Sequence, residues 1–387
     1  MKSLIVAGID IKKNNACSIN FIRTVNAFSL KYKGSVTSFV PDSGSARYPI
    51  ALEKGVSNLR GFHLSKIPNS LNYFFNTPLI IYHALKNNFD IIYVRFNLLS
   101  VFSVALLRLF TNALIVSEHH GWIYDELIAM RCPRILASLF RMLQLWDIKA
   151  AHFSRVVISG LKEKCVEHGV EKNKIIVLQN GTRISDFALQ DKRASDETGV
   201  FVIGFLGNLV PWQGVHIAIQ AGALVKEAGI PFKMKIFGSG PELKRLCDLS
   251  KSLGLLDTVE FVGEIESNTV PHALSTLDLA LAPFVSERNS NIGLSPIKIR
   301  DYAAAGLAII SSDIKGISNY DWLIKVKPDE PQELADAIIH LYKNPELRTA
   351  LQNKARSFAE KNFDHDKILS SFIDELSEKR KNQIGKN

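Results

Sequence analysis

The sequence predicts an α/β protein of two consecutive Rossmann-like, doubly wound domains that face a central cleft. Its 387 residues exceed the size at which a single core stops growing, about 250–300 residues. Short apolar runs alternate with longer amphipathic segments in both halves, which is typical of parallel sheets covered by helices. A polar stretch without a strand pattern, residues 183–199, separates the halves and is predicted to be a linker.

The predicted elements follow this alternation in chain order. In an N-terminal domain, 1–182, strands are expected at 3–8, 35–40, 90–95, 113–117, 155–158 and 174–178, and helices at 16–31, 70–86, 97–110, 133–149 and 160–168. In a C-terminal domain, 200–364, strands are expected at 200–205, 232–237, 258–262, 278–282 and 307–310, and helices at 214–227, 240–252, 269–275, 296–304, 331–343 and 346–361. The last segment, 365–387, is predicted to form a helix that returns to the N-terminal domain.

Composition narrows the class of protein. Hydrophobic residues make up 47% of the chain and charged residues 22%, which argues against disorder and against a polytopic membrane protein. The net charge of +9 suits nucleic acid, an anionic membrane surface or a phosphorylated small molecule, and solubility alone explains it equally well.

The cysteines and the N-terminus indicate a cytoplasmic protein. Cys17, Cys132, Cys165 and Cys247 form no C-x-x-C pair and have no histidine at metal spacing, so we expect reduced thiols and no metal site. The first apolar run is too short for a signal peptide and is predicted to be a buried strand.

Residues 98–117 form an apolar stretch about as long as a membrane span. Arg108 and Asn112 interrupt the apolar run near its centre, whereas a spanning helix needs ~20 apolar residues. A helix at 98–110 followed by a strand at 113–117 explains the pattern better.

A glycine-bearing loop follows the first strand of the C-terminal domain. Gly207 ends the strand and Gly214 opens the next helix, and such turns let a phosphate approach the backbone and a helix N-terminus. Turn geometry alone accounts for these glycines equally well.

A second informative segment is 289–313. Pro296 suits the first turn of a helix that carries Lys298 and Asp301 one turn apart. The lysine could meet a phosphate and the carboxylate could accept ribose hydroxyls, as a nucleoside diphosphate requires. The alternative from the residues alone is a solvated salt bridge between the two.

The order of the segments resembles family 4 of the retaining glycosyltransferases, which have the two-Rossmann GT-B fold. The segments that carry the resemblance are VVISG through Asn180-Gly181, FLGNLVPWQGVHIAIQA (205–221), FGSGPELKRL (237–246), FVGEIESNTVPHALSTLDLALAPF (261–284) and SPIKIRDYAAAGLAII (295–310). The resemblance covers nearly the whole chain and is strongest from 155 to 313.

The resemblance implies roles for residues of the last segment. Asp301 occupies the position of a glutamate that binds the ribose hydroxyls. A second glutamate of the family falls on Gly293, which has no side chain, so contacts to the donor sugar are left to the backbone of Gly293 and Leu294.

The resemblance also implies roles in the earlier loops. The basic pair that grips the pyrophosphate in the family is replaced by the neutral Asn208 and Gln213, and Lys298 is expected to supply the missing charge. Gly207 and Gly214 belong to the same donor loop, and Glu264 lies in the segment that resembles the base-binding one.

In the N-terminal half, residues 114–125 place two histidines after a strand. Side chains of adjacent residues point apart on an extended chain, so His119 and His120 have poor metal spacing. By resemblance, His120 before Gly121 is the active-site histidine that contacts the transferred sugar, and the alternative is an ordinary loop histidine. The loop at 8–20 matches the position of a glycine-rich turn but carries Asn14 and Asn15.

The implied activity is transfer of a sugar, with retention, from a UDP- or GDP-sugar to a glycan or lipid-linked acceptor. His120 and Lys298 would be the catalytic residues, with no metal or other cofactor and no nucleic acid. The implied setting is the synthesis of a bacterial surface polysaccharide: capsule, O-antigen or exopolysaccharide. The alternatives are a nucleotide-sugar 2-epimerase-like isomerase and a non-catalytic subunit with the same fold.

The segment 131–149, which includes the helix predicted at 133–149, carries a basic stripe. Arg131, Arg134, Arg141 and Lys149 fall within one arc, flanked by apolar residues. This pattern suits peripheral contact with an anionic membrane at the inner face of the plasma membrane, or an ordinary buried helix with one solvated side.

Overall fold

The computed structural model describes residues 1–9, 16–33, 35–41, 51–64, 66–187, 199–289, 294 and 296–385. The chain divides into two compact units, residues 1–179 with 366–387 and residues 180–365. Asn14, Asn15, Gly293 and residues 188–198 of the predicted linker lie outside the described residues.

In the first unit the described strands form one parallel sheet of seven. They are β1 (Ser3–Val6), β2 (Val36–Pro41), β3 (Ser57–Gly61), β4 (Ile91–Arg95), β5 (Leu114–His119), β6 (Phe153–Val156) and β7 (Ile175–Val177). Their order is β3-β2-β1-β4-β5-β6-β7, and β1 pairs in parallel with both β2 and β4. The central strands are buried along their length, because helices cover both faces of the sheet.

The helices of the first unit connect these strands. They are α1 (Ala16–Lys31), α2 (Asn69–Phe75), α3 (Thr77–Asn87), α4 (Ser100–Phe110), α5 (Ile123–Ala129), α6 (Arg134–Ala150) and α7 (Ser159–Glu167). Residues 98–117 form the end of one turn, α4 and β5, as the helix-then-strand interpretation predicts. No described helix is both long enough and apolar enough to cross a bilayer.

One predicted helix, 70–86, is two helices in the structure. They meet at Asn76, whose buried side chain accepts a hydrogen bond from the N–H of Phe62 at 2.7 Å and donates to the carbonyl of Phe62 at 2.8 Å. Pro78 in the first turn of α3 has no N–H to continue the ladder. The tie to Phe62 also holds the end of β3, an edge strand that the sequence pattern did not predict because SNLRG has few apolar residues.

In the second unit the described strands form a parallel sheet of six. They are β8 (Phe201–Leu206), β9 (Phe232–Phe237), β10 (Val259–Gly263), β11 (Leu279–Ala282), β12 (Ala308–Ser312) and β13 (Ile324–Val326), in the order β10-β9-β8-β11-β12-β13. The helices are α8 (Val215–Glu227), α9 (Leu243–Ser252), α10 (Val270–Ser275), α11 (Ser286–Asn289), α12 (Ile297–Ala304), α13 (Pro331–Lys343) and α14 (Pro345–Asn362). Two apolar clusters, one on each face of the sheet, form the core of this unit. The predicted fold class, two Rossmann-like α/β domains, is confirmed.

The last helix, α15 (His365–Ile384), packs against the first unit. Leu369, Phe372, Ile373 and Leu376 are buried in the cluster that also contains residues of β1, β4 and β5. Lys31 and Asp374 add an exposed ion pair at 2.6 Å.

Candidate functional site

The candidate site lies at the carboxyl ends of β8 and β11, where the strand order of the second sheet reverses. Helices diverge to opposite faces at such a point and leave a crevice in which ligands of doubly wound sheets bind. The loop after β8 and the loop after β11 meet there: a side chain at Gly214 would lie 1.6 Å from the carbonyl oxygen of Pro283. The first turn of α12 brings Lys298 to the same place, with Nζ 5.4 Å from the centre of the Phe284 ring.

Lys298 is a buried lysine whose contacts are neutral. The residue is 8% exposed, and its Nζ donates to Gln213 Oε1 at 2.6 Å. The ammonium also lies 3.7 Å from the centre of the Phe205 ring, a cation–π contact. Among the residues that the structure describes, no carboxylate forms an ion pair with it, and burial lowers its pKa well below the ordinary value of a lysine.

The glycines of the loop provide clearance around this lysine. A side chain at Gly207 would lie 2.8 Å from Lys298 Nζ, and one at Gly238 would lie 2.0 Å from the carbonyl oxygen of Gly207. The N–H of Gly207 donates to Phe237 at 2.9 Å and that of Gly214 to Pro211 at 3.2 Å. The structure therefore uses these N–H groups internally. Gly207 lets the backbone approach the lysine, while Gly214 and Gly238 let backbone segments approach Pro283 and Gly207.

The two neutral residues of the loop after β8, Asn208 and Gln213, lie in different environments. Asn208 is exposed, whereas Gln213 ends a short 3-10 helix, Pro211–Gln213, and turns its amide oxygen to Lys298. The Nζ atom of Lys298 therefore lies at the tip of Gln213, the position at which the family that this chain resembles has a basic residue.

Asp301 follows Lys298 on α12 but has a different partner. Its Oδ1 accepts a hydrogen bond from the hydroxyl of Thr182, while Lys298 turns to Gln213. The lysine and the carboxylate thus lie one turn apart without the salt bridge that was the alternative explanation for them.

The other predicted donor residues lie around this centre. Glu264 follows β10, is exposed and accepts a hydrogen bond from Ser239 at 3.4 Å. Leu294 donates its N–H to the carbonyl of Lys315 at 2.9 Å, so this N–H is used within the chain. Gly293 is outside the described residues.

Tyr302 is part of the site framework that sequence reasoning missed. Its hydroxyl accepts the N–H of Leu206 at 2.7 Å and lies 3.4 Å from the carbonyl oxygen of Leu281. It therefore ties α12 to the ends of β8 and β11 and fixes the helix that carries Lys298. The available signal was its position four residues after Lys298, which places both on one side of the helix.

His120 lies at the end of β5 in the first unit, beside a buried ion pair. Its Nε2 is 3.2 Å from Glu118 Oε1, which also accepts from Arg155 Nη1 at 2.7 Å. Burial acts to raise the pKa of Glu118, but His120 and Arg155 outweigh it and hold that pKa below its ordinary value. Burial and then the charge of Arg95 lower the pKa of His120, which favours a neutral imidazole at pH 7.

The two adjacent histidines point apart, as predicted. His119 is fully buried, with Nε2 3.0 Å from Ser117 Oγ and 3.3 Å from Asp147 Oδ1, while the side chain of His120 is 28% exposed. Over the described part of the chain, no group of three metal-binding side chains is close enough to hold an ion.

Comparisons with known proteins match the C-terminal unit most directly. Residues 187–358 match the family model described as "Glycosyl transferases group 1". The "Putative colanic acid biosynthesis glycosyltransferase WcaL" of Escherichia coli is 30% identical over 149 residues, which cover 38% of this chain and 36% of that protein. The chain thus aligns with only about a third of that relative. The "Uncharacterized glycosyltransferase MJ1069" of Methanocaldococcus jannaschii is 23% identical over 319 residues, 79% of each chain.

Solved structures share the fold over nearly the whole chain. Anabaena Alr3699/HepE in complex with UDP superposes with a TM-score of 0.77 at 17% identity, covering 98% of this chain and 100% of that one. Sucrose-phosphate synthase from Thermosynechococcus elongatus superposes with a TM-score of 0.79 at 15% identity, covering 98% and 99%. The chain therefore has the GT-B fold, and its residues 187–358 are similar to the glycosyl transferases group 1 family.

Proposed function

We propose that the protein transfers a sugar from a nucleoside-diphosphate sugar to a glycan or lipid-linked acceptor, with retention of anomeric configuration. One observation carries the proposal: the buried ammonium of Lys298 at the carboxyl ends of β8 and β11, held by Gln213 and the Phe205 ring.

A diphosphate is the ligand that best suits this lysine. Burial in neutral surroundings disfavours the ammonium form, and an anion placed beside it would restore the charge. Asp301, one turn further on α12, presents carboxylate oxygens of the kind that accept ribose hydroxyls. One helix would therefore bind two parts of the same nucleotide.

The chemistry follows from where charge develops. As the bond from the sugar to the diphosphate breaks, negative charge accumulates on the leaving phosphates, and a preorganised cation lowers the barrier. Lys298 would supply that charge, so the proposal includes no metal or other cofactor. His120 would contact the transferred sugar. Attack on the face from which the diphosphate leaves requires no protein nucleophile and gives retention.

The relatives favour a particular donor and acceptor. HepE was crystallised with UDP and with UDP-glucose, and WcaL is named for colanic acid biosynthesis. We therefore place UDP-sugars before GDP-sugars and a bacterial surface polysaccharide as the product. A lipid-linked acceptor would bring the protein to the inner face of the plasma membrane.

The test is a panel of UDP-, GDP- and ADP-sugars, each assayed by thermal shift and then with acceptor by mass spectrometry. We expect the nucleotide sugars of one base to raise the melting temperature of the protein. With acceptor present, we expect a product that is heavier than the acceptor by one sugar. Conversion of the free nucleotide sugar without acceptor would indicate an isomerase instead. Absence of any shift across the panel would overturn the proposal and leave a non-catalytic role.

A further inference from the structure

An aromatic cluster is exposed on the first unit where α2 meets α4. The Phe74 ring lies 5.4 Å from the Phe102 ring and 6.0 Å from the Phe75 ring, and Phe75 is 58% exposed. Single exposed apolar residues are ordinary, but several in contact mark an interaction surface.

The exposed apolar surface continues along α4. Phe102, Leu106, Leu109 and Phe110 are all exposed, and their spacing places them on one side of the helix. Leu109 is 73% exposed. The opposite side of α4 is apolar too and is buried in the unit, so the exposed side does not serve the core.

The neighbouring helix α6, which packs on α4, repeats the arrangement. Its buried residues are Ala137, Gln144, Leu145, Asp147 and Ile148. Ile135, at 88%, and Trp146, at 54%, are exposed instead, and Leu139 and Met142 between them are exposed as well. The helix therefore has one buried side and one exposed side, and the exposed side is apolar.

The charges around this surface have one sign. Exposed basic residues on these helices and on α3 include Lys86, Arg108, Arg134 and Lys149. In α2, α3, α4 and α6, all of them fully described, the only carboxylate is Asp147, which is buried and accepts from Ser100 Oγ at 2.6 Å. The two carboxylates of the short helix α5 are half-buried.

We propose that the exposed sides of α2, α4 and α6, named here the lipid face, bind an anionic lipid bilayer. The phenylalanines and Trp146 would lie at the headgroup boundary, with Arg134 and Lys149 against lipid phosphates. A second copy of the chain fits the face less well, because a symmetric contact would bring identical basic residues together. In the proposed function, the lipid face would hold the protein at the membrane that carries a lipid-linked acceptor. Membrane binding itself does not depend on the proposed function, and only this use of it does.

The test uses the full-length protein without donor or acceptor. Binding to phosphatidylcholine vesicles is compared with binding to vesicles that contain about one third phosphatidylglycerol, by co-sedimentation. Wild type is expected to bind only the anionic vesicles. Replacing the two basic residues, as Arg134→Gln and Lys149→Gln, should weaken binding about 30-fold, from about fivefold per charge.

A second variant removes the apolar part, Phe102→Ser with Leu109→Ser and Trp146→Ser, and should also abolish vesicle binding. The matched control is Leu256→Ser with Lys244→Gln and Lys251→Gln, exposed positions of the second unit. Each variant is checked by circular dichroism and by its thermal shift with UDP, which should stay as in wild type. Vesicle binding that is absent, or unchanged in both variants, overturns the proposal. So does a wild-type dimer that the variants dissociate without any vesicle binding. Loss of the UDP shift alone would instead count against the proposed function.

Discussion

Replacing Lys298 by methionine should separate ligand binding from folding. Methionine keeps the length of the buried stem and its contact with the Phe205 ring but removes the ammonium. A hydrogen bond to a charged group contributes about 1.5–3 kcal/mol, so the dissociation constant for UDP should rise about 10- to 150-fold.

Stability should move the other way or not at all. Burial of an ionisable group without an ion partner carries a desolvation cost, so its exchange for an apolar side chain of similar volume should be neutral or stabilising. The variant also removes the donor to Gln213, a loss of about 1 kcal/mol that water at this half-buried amide can offset. We expect a free energy of unfolding equal to that of wild type or higher by ~1–2 kcal/mol.

The assay is isothermal titration with UDP in two buffers of different ionisation enthalpy, alongside urea unfolding. Because burial lowers the pKa of Lys298, binding of a diphosphate should draw a proton onto wild type above that pKa, and none onto Lys298→Met. Lys244→Met, at an exposed lysine of the same unit, is the control and should leave both quantities unchanged. Wild-type affinity in Lys298→Met, or equal proton uptake in both proteins, would refute the reasoning.

Three further predictions follow from the contacts. Asp301→Asn keeps an acceptor for the Thr182 hydroxyl but loses the charge, so UDP should bind about 10-fold more weakly while thermal stability changes little. Thr182→Val, in contrast, should lower the free energy of unfolding by about 1 kcal/mol and should affect UDP binding less. Gly238→Ala places a side chain against backbone and should lower the free energy of unfolding, measured in urea, by more than ~2 kcal/mol. Gly229→Ala, also at positive φ but in open space, should lower it by about 1 kcal/mol. Equal losses of unfolding free energy in the two variants would contradict the close approach at Gly238. Burial and nearby cations lower the pKa of His152 to about 4 from 6.5, so between these pH values the unfolded chain binds a proton that the folded chain does not. The free energy of unfolding should therefore fall as pH drops from 6.5 toward 4, by on the order of 1–2 kcal/mol after allowance for partial exposure. His152→Gln should flatten that slope.

The sequence predicts the fold well because parallel strands covered on both faces are continuous apolar runs. β8 and β12 are examples, each buried along nearly its whole length. The edge strands β3 (SNLRG) and β13 (IKV) were missed because polar or charged residues interrupt them, whereas the other two edge strands, β7 and β10, were predicted.

The candidate site was predictable in position but not in its contacts. The spacing of Lys298 and Asp301 gave their place on a helix near a strand end. Their partners are distant in sequence, Gln213 by 85 residues and Thr182 by 119, and helical spacing carries no information on such pairs. Sequence reasoning therefore left the salt bridge open, and only the fold decides against it.

Lys298 can replace the basic pair that the loop after β8 lacks at Asn208 and Gln213. A transition state with charge on a diphosphate requires a cation at a given point in space, and the chain position that supplies it is immaterial. In this chain the ammonium of Lys298 reaches from α12 to the tip of Gln213, the side chain at one of the two neutral positions. Gly207 has no side chain, and a Cβ there would lie 2.8 Å from Nζ and displace the tip of the lysine. The neutral loop, the glycine and the buried lysine are thus three parts of one arrangement. A variant that restores a basic side chain, Gln213→Lys, should for this reason fail to improve donor binding while Lys298 is present and should partly rescue Lys298→Met, an outcome that UDP titration of the double variant would decide.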